Sequence, residues 1–189
     1  MIGATFGAVL SAAAAGDQRA FAVLWRDLQP GLLRYLQVMA PGSAEDVASE
    51  TWVDVVRGLP RFRGDERAFR SWAFTIARHR AIDWRRRVAR QPASLLPLEW
   101  LPERPAPDDP AAAAFEAAST QAALALIAEL PQDQAEVVVL RVVADLDVAE
   151  VAAIVGKRPG AVRVLAHRGL RRLAQRLAEQ RRMRGGVTR

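Results

Sequence analysis

The chain has 189 residues, a formal net charge of +6 and no cysteine, and 51% of its residues are hydrophobic. This length suits one domain or two small ones, and the lack of cysteine in the sequence excludes disulfide frameworks and thiol catalysis. No apolar run approaches the ~20 residues that span a bilayer. The Ala-rich N-terminus lacks the cationic start of a signal peptide, so we expect a cytoplasmic protein without a membrane partner.

The charged residues are segregated along the chain. Residues 57–90 hold 11 arginines against three acids, and residues 91–150 hold 11 acids against two arginines. Residues 151–189 hold 11 cations against one acid. Blocks of a single sign attract polyanions. The distribution therefore predicts two separate contacts with nucleic acid.

Apolar residues recur at helical spacing from the start of the chain, and strand signals are almost absent. The first pattern predicts one or two helices over 21–36, bent or broken near Pro30. The next predicts a helix over 44–58, for which Ser43 and Asp46 have the spacing of a capping box.

A glycine- and proline-rich loop is expected over 57–67, and a strongly basic helix is expected over 68–90. Trp72 and Trp84 lie on the same helix as most of these arginines. Aromatic side chains beside cations suit the stacking of unpaired bases. A place in a small hydrophobic core is the alternative explanation for both tryptophans, and the sequence leaves the two alternatives open.

An acidic, proline-rich segment separates the two basic blocks. We expect a domain over 1–90, a flexible linker over 91–117, a second domain over 118–182 and a basic tail over 183–189. The apolar residues of the linker indicate that part of it docks on a surface. Helical patterns resume over 111–130, 133–144, 148–155 and 159–182. The predicted fold is all-α, with two small helical domains joined by the linker.

The segment 147–173 has the sequence features of a helix-turn-helix. Asp147 and Glu150 form a capping box at the start of the first helix, and Gly156 suits the left-handed position that ends it. Pro159 suits the first turn of the second helix, and Val162 is spaced to face back onto the first helix.

The second helix of this motif carries cations on or near its outward face. Such a helix enters the major groove of DNA, where Arg pairs with guanine and other cations reach phosphates. A solvated helical hairpin is the alternative explanation of the same charges. The predicted DNA-contacting residues are Lys157, Arg158, Arg163, His167, Arg168 and Arg171.

Two stretches resemble a known family. Residues 44–87, AEDVASETWVDVVRGLPRFRGDERAFRSWAFTIARHRAIDWRRR, are similar to region 2 of bacterial sigma factors of the extracytoplasmic-function (ECF) group, of sigma-70 type. Residues 129–173, ELPQDQAEVVVLRVVADLDVAEVAAIVGKRPGAVRVLAHRGLRRL, are similar to their region 4. Two blocks in the family's order make the resemblance specific.

The resemblance implies a promoter-specificity subunit that binds core RNA polymerase at its clamp and flap regions and recognises −10 and −35 elements. It also implies contacts with double-stranded and melted promoter DNA and control by an anti-sigma factor. The implied polymerase-binding residues are Glu45, Asp46, Glu50, Thr51, Trp52 and Val55. The implied −10 and melting residues are Phe62, Arg63, Gly64, Asp65, Arg67, Trp72, Arg78, His79, Arg80, Trp84, Arg85, Arg86 and Arg87. The helix-turn-helix cations would contact the −35 element.

Two other functions fit parts of the sequence. A stand-alone helix-turn-helix regulator would bind DNA without polymerase, and it leaves the basic loop and helix of the first half unexplained. An enzyme is disfavoured because His79 and His167 lie in different predicted domains and no acid cluster has metal-ligand spacing. We therefore expect no catalysis, no cofactor, no metal and no small-molecule substrate.

Overall fold

The computed structural model describes residues 1–90 and 110–185, without the side chains of 110–117, 180–181 and 183–185. All regular structure in these ranges is helical, which confirms the predicted fold class. Short 3-10 turns lie at Gly3–Thr5 and Leu59–Arg61. The helices are α1 (Phe6–Ala14), α2 (Gln18–Met39), α3 (Ala44–Gly58), α4 (Glu66–Arg90), α5 (Pro110–Ala128), α6 (Gln132–Val142), α7 (Val148–Val155) and α8 (Pro159–Gly185). None of the described helices is both long and apolar enough to cross a membrane.

Helix α2 continues through Pro30 as one helix, so the expected break is wrong, whereas the alternative of a bend stays a prediction. Four leucines on one face are each at most 1% exposed and hold both halves of the helix against α3 and α4: Leu24, Leu28, Leu32 and Leu36. Each buried leucine stabilises the fold by about 1.5–3 kcal/mol, whereas an interior proline costs about 3 kcal/mol. Burial of this face therefore outweighs the proline.

The expected cap at Ser43 is also wrong. Ser43 makes no side-chain capping hydrogen bond, although α3 has the predicted bounds. The acids of its first turn favour the helix N-terminus instead, through the helix dipole. Helix α4 starts at Glu66 rather than at residue 68, because Asp65 accepts a hydrogen bond from the backbone N–H of Ala68 at 2.8 Å.

The helix-turn-helix prediction is confirmed at α7 and α8. Asp147 and Glu150 form the complete capping box, and Gly156 adopts a left-handed φ of +66°. Pro159 begins α8, and Val162 is fully buried. These residues therefore specify where the two helices of the motif begin and where the first one ends.

The predicted limits of the domains, the linker and the tail stay a prediction, beside which the helix bounds can be set. Helix α5 begins at Pro110, so residues 110–117 are helical, and α8 continues to Gly185 inside the predicted tail. The linker expectation for 91–109, including its docking apolar residues, lies outside the described residues, as do residues 186–189 of the tail. We call residues 1–90 the first domain and 110–185 the second domain. They pack together, with α6 against α2 and α7 against α4.

Candidate nucleic-acid interface

The first half of α8 presents a row of exposed cations. Buried Val162 turns one face of the helix toward α7, and Gly169 lets α8 approach α6 closely. The other side of the helix exposes Arg163, His167, Arg168 and Arg171, and Arg158 is exposed directly before the helix begins. This is the arrangement that a helix needs in order to enter the major groove with charged side chains toward bases and phosphates.

Lys157 differs from the other predicted cations of this motif. Its ammonium group donates to Asp133 Oδ2 of α6 at 2.9 Å, and its side chain is 33% exposed. A partly exposed ion pair of this kind is weak and yields readily to a phosphate. Lys157 therefore connects the turn of the motif to α6, and it still borders the exposed row of α8.

The basic helix α4 carries a second cationic surface. His79, Arg86 and Arg87 are exposed, and Arg85 is half-buried. Arg87 lies 3.3 Å from Glu50 of α3, and Arg86 lies 3.5 Å from Asp83 one turn away. Exposed ion pairs of this kind contribute little energy, so these arginines remain available to bind a polyanion.

Arg80 is held within the first domain. Its Nε donates to Asp54 Oδ2 at 2.6 Å, and its guanidinium also lies 3.6 Å from Glu50. The hydrogen bond that Asp54 accepts is the main cause that raises the pKa of Arg80 above its usual value. Arg80 thus ties α4 to α3, and this role competes with the DNA contact that the resemblance implied.

The loop before α4 is built on an aromatic cluster. The ring of Phe62 lies 4.9 Å from Trp72 and 5.5 Å from Phe69, and Phe6 of α1 lies 5.8 Å from Phe69. A Cβ on Gly58 would lie 2.6 Å from the indole of Trp72. Trp72 therefore packs mainly against protein, and Trp84 is half-buried on the core.

The polar residues of the same loop hold its backbone. Arg63 donates to the carbonyl oxygens of Pro60 and Phe62, at 2.9 and 2.7 Å. A Cβ on Gly64 would lie 2.8 Å from Ala68, so only glycine fits this close approach. Asp65 caps α4, as described above. The loop is consequently a preformed structure beside the basic helix.

Two residues of the predicted −10 set contact the second domain. Arg78 Nε donates to Glu136 at 2.9 Å, and Arg67 lies 2.8 Å from Asp147 and 3.4 Å from Glu150. The Glu150 hydrogen bond is the largest cause that raises the pKa of Arg67. The pKa of Asp147 is lowered, chiefly by the backbone N–H of Glu150. The sequence did not predict any of these interdomain pairs.

The predicted polymerase-binding residues divide into two groups. Glu45 and Asp46 are exposed, and Glu50 is 38% exposed beside Arg80 and Arg87. The other three are buried: Thr51 and Val55 lie within the core, and Trp52, 7% exposed, also lines the groove described below. The Thr51 hydroxyl donates to Val47 O, and the Trp52 indole N–H donates to Gln29.

Sequence reasoning missed the apolar residues that α3 does expose. Val53 and Val56 are 48% and 49% exposed, and Trp25 of α2 is 41% exposed beside them. Together with Ser49 and Gln29 they line a groove between α2 and α3, which we call the α2–α3 groove. Spacing alone could have indicated it, since positions 49, 53 and 56 recur at three- and four-residue intervals on one helix face.

A metal centre is not evident in the described ranges, where no group of three or more His, Asp or Glu side chains could hold an ion. The arrangement instead offers two cationic helices and an apolar groove.

Family models match both domains. The model described as Sigma-70 region 2 matches residues 24–91, which include the preformed loop and all of α4. The model described as Sigma-70, region 4 matches residues 120–173, which include the helix-turn-helix. The fold and its basic surfaces therefore define a DNA-binding transcription factor of the sigma-70 type.

Individual relatives narrow the assignment. ECF RNA polymerase sigma factor ShbA of Streptomyces griseus subsp. griseus is 39% identical over 185 aligned positions, covering 92% of this chain and 95% of ShbA. ECF RNA polymerase sigma factor SigD of Mycobacterium tuberculosis is also 39% identical, covering 92% of this chain and 84% of SigD. The chain belongs to the ECF RNA polymerase sigma factors, which confirms the resemblance.

A solved structure supports the same fold. A chain in the structure of CnrH in complex with the cytosolic domain of CnrY matches with a TM-score of 0.62 and 23% identity, covering 90% of this chain and 96% of that one.

Proposed function

We propose that the chain binds core RNA polymerase in the bacterial cytoplasm and directs transcription initiation at promoters with −10 and −35 elements. It acts without catalysis of its own. The observation that carries the proposal is the exposed cationic row of α8, held outward by a helix-turn-helix whose other face is buried. Membership of the ECF sigma factors supports a role of this row in promoter recognition over general DNA binding.

The −35 element would be read by α8 in the major groove. Arg163 and His167 are one turn apart on its exposed face, and Arg158 and Arg171 extend the row in both directions. A side chain near the start of such a helix reaches base edges, and the flanking cations reach phosphates.

The −10 element would be bound by α4 and the loop before it. The exposed residues Arg86 and Arg87 supply charge for the backbone of the melted strand, and the exposed imidazole of His79 lies on the same helix. The preformed loop from Phe62 to Asp65 is the proposed place for a base that leaves the stack, because a rigid pocket offsets the unstacking energy best.

Core polymerase would dock at the α2–α3 groove. Its exposed apolar residues, Trp25, Val53 and Val56, provide the hydrophobic centre that protein interfaces use. The exposed acids Glu45 and Asp46 lie at the start of the same helix and provide a polar rim. This mixture of apolar and acidic groups suits a protein partner and repels DNA.

An anti-sigma factor is the proposed regulator. The cationic surfaces of α4 and α8 and the apolar groove are all accessible on one small chain. A single acidic and apolar partner could therefore cover DNA-binding and polymerase-binding surfaces together.

Co-elution with core polymerase tests the docking surface. Val56→Glu places a charge in the α2–α3 groove and should abolish co-elution while the circular dichroism spectrum stays helical. Leu177→Glu is the matched control, since Leu177 is 43% exposed near the end of α8 and away from the groove. The control should co-elute like the parent chain. Unchanged co-elution of Val56→Glu would remove the groove from the interface.

A further inference from the structure

One apolar side chain lies in the middle of the exposed cations of α8. Val164 is 47% exposed, whereas Val162, two residues earlier, is fully buried. Successive residues of an α-helix are roughly 100° apart, so Val164 lies roughly 200° around the helix from Val162 and faces away from the domain. Val164 also lies outside the core and outside the apolar residues packed against it. The packing of the domain therefore gives no reason for a valine at this position.

Gly160 lies one helical turn before Val164 and is equally unexplained by the fold. A Cβ on Gly160 would meet nothing within 4 Å, and its φ is in the ordinary helical range. A glycine in a helix is less stable than an alanine, and it is used where another molecule must approach the backbone closely. Helical side chains lean toward the N-terminus, so the Val164 side chain leans over the turn that contains Gly160. We call this pair the Gly160–Val164 notch.

Cations surround the notch. Arg163 directly precedes Val164, His167 and Arg168 lie one turn later, and Arg171 lies two turns later, all of them exposed. A cationic surround attracts a polyanion and is unfavourable for an ordinary apolar protein contact. The apolar group that the notch contacts is therefore expected to belong to nucleic acid.

The other exposed apolar residues in the described part of α8 do not extend the notch. Leu170 and Leu177 are 47% and 43% exposed. By helical spacing they lie roughly 120–140° around the helix from Val164, beside the face that packs on α6. Val164 is thus a single apolar group within a polar surface, which fits a small apolar ligand group better than a broad hydrophobic interface.

The major groove of DNA offers one small apolar group. Thymine presents its C5-methyl group there, whereas the edges of guanine, adenine and cytosine present hydrogen-bond donors and acceptors. Apolar side chains of a helix in the groove contact this methyl group, and arginines beside them donate to guanine or to phosphates. The chemistry of the notch and of its cationic surround matches this combination.

We propose that the Gly160–Val164 notch receives the C5-methyl group of a thymine in the −35 element. Val164 provides the apolar surface, and Gly160 leaves the space that the base needs. Val164 is then a specificity-determining residue, and the −35 element of this chain contains a thymine at a fixed position on one of its strands. This inference rests on the proposed function, because it requires α8 to lie in the major groove.

Replacement of thymidine by deoxyuridine tests the proposal, because the two differ only by the C5-methyl group and pair identically. The −35 element is first selected from random duplex DNA with the parent chain bound to core polymerase. Each thymidine of the enriched element, on either strand, is then replaced by deoxyuridine, one at a time. One replacement should weaken binding by about three- to fivefold, the effect of one buried methyl group. The other replacements should have little effect.

A double-mutant cycle assigns the methyl group to Val164. Val164→Ala should bind the thymidine and the deoxyuridine duplex equally, with the affinity that the parent chain has for the deoxyuridine duplex. Leu177→Ala is the matched control, because it also removes an exposed apolar group from α8, and it should keep the preference of the parent chain. Both side chains are exposed, so both variants should keep the helical circular dichroism spectrum.

Gly160→Ala provides an independent variant. It adds a methyl group where the protein itself leaves open space, so the fold should tolerate it, but it fills part of the notch. We expect this variant to lose affinity for the thymidine duplex and to lose most of the preference over the deoxyuridine duplex. An unchanged preference in Gly160→Ala would exclude Gly160 from the notch.

The outcomes separate this inference from the proposed function. An enriched element whose deoxyuridine duplexes all bind as tightly as the thymidine duplex would overturn the inference, while −35 recognition itself would stand. A methyl preference that persists in Val164→Ala would overturn the role of Val164. If selection enriches no element at all, the proposed −35 recognition fails, and the inference fails with it.

Discussion

Alanine substitutions at two glycines of α8 should have opposite effects on stability, because only one of the two glycines lies at the contact with α6. A Cβ on Gly169 would lie 2.7 Å from Val138 Cγ2 and 3.5 Å from both Gln134 and Leu130. Carbon atoms pack at about 3.5 Å or more, so an alanine methyl is about 0.8 Å too close to a buried valine. Gly160, also on α8, has nothing within 4 Å of its Cβ position.

The magnitudes follow from two opposing effects. Replacing glycine by alanine in a helix stabilises it by about 0.5–1 kcal/mol, and overpacking a core costs about 1–3 kcal/mol. We expect Gly169→Ala to destabilise the protein by about 1 kcal/mol net, which lowers the thermal midpoint by about 2–4 °C. Gly160→Ala should leave the midpoint unchanged or raise it slightly.

Thermal unfolding followed by circular dichroism at the same protein concentration distinguishes the two variants. Because α8 carries the recognition residues, Gly169→Ala should also weaken −35 binding by moving the helix away from α6. If Gly169→Ala raises the midpoint as much as Gly160→Ala does, the close crossing of α8 and α6 is wrong.

Three further predictions concern other parts of the molecule. Val55→Ala should lower the free energy of unfolding by about 2 kcal/mol, because Val55 is fully buried. Val56→Ala should change it by less than about 0.5 kcal/mol, because Val56 is exposed. Equal losses for the two variants in urea unfolding would contradict the assigned faces of α3. The pKa of Asp147 is lowered, so its ionised form stabilises the fold above its ordinary pKa, and this contribution disappears as the pH falls through the lowered value. The difference in thermal midpoint between the parent and Asp147→Asn should therefore narrow below about pH 4, and a difference independent of pH would count against it. Arg163→Ala should weaken promoter use by about 1–3 kcal/mol and relax one −35 position, and an unchanged −35 preference would exclude Arg163 from base reading.

Features set by neighbouring residues could be predicted from the sequence. The capping box of Asp147 and Glu150, the left-handed Gly156 and the start of α8 at Pro159 all follow from local backbone chemistry. The resemblance to the ECF sigma factors also followed from local motifs in order. These signals were sufficient for the fold class and for the position of the helix-turn-helix.

Features that depend on packing could not be predicted in the same way. Thr51 and Val55 belong to the buried face of α3, and Val53 and Val56 to its exposed face, but all four are compatible with either face by composition. Pro30 stays helical because leucines on both sides of it are buried, which the sequence around the proline does not reveal.

The interdomain pairs were beyond sequence reasoning for a different reason. Arg78 and Glu136 are 58 residues apart in the sequence, and Arg67 and Asp147 are 80 residues apart. Their contact depends on how two separately folded domains meet. The arginines could therefore be identified as cationic surface residues but not as partners of particular acids.

In vitro transcription with the purified chain, sigma-free bacterial core polymerase and fragmented DNA of the source genome tests the central claim most directly. Sequencing of the transcript 5′ ends should give discrete starts that share two upstream elements and that are absent without the chain. DNA binding by the chain alone, with no new transcript starts, would contradict the account and would favour a helix-turn-helix regulator that acts without polymerase.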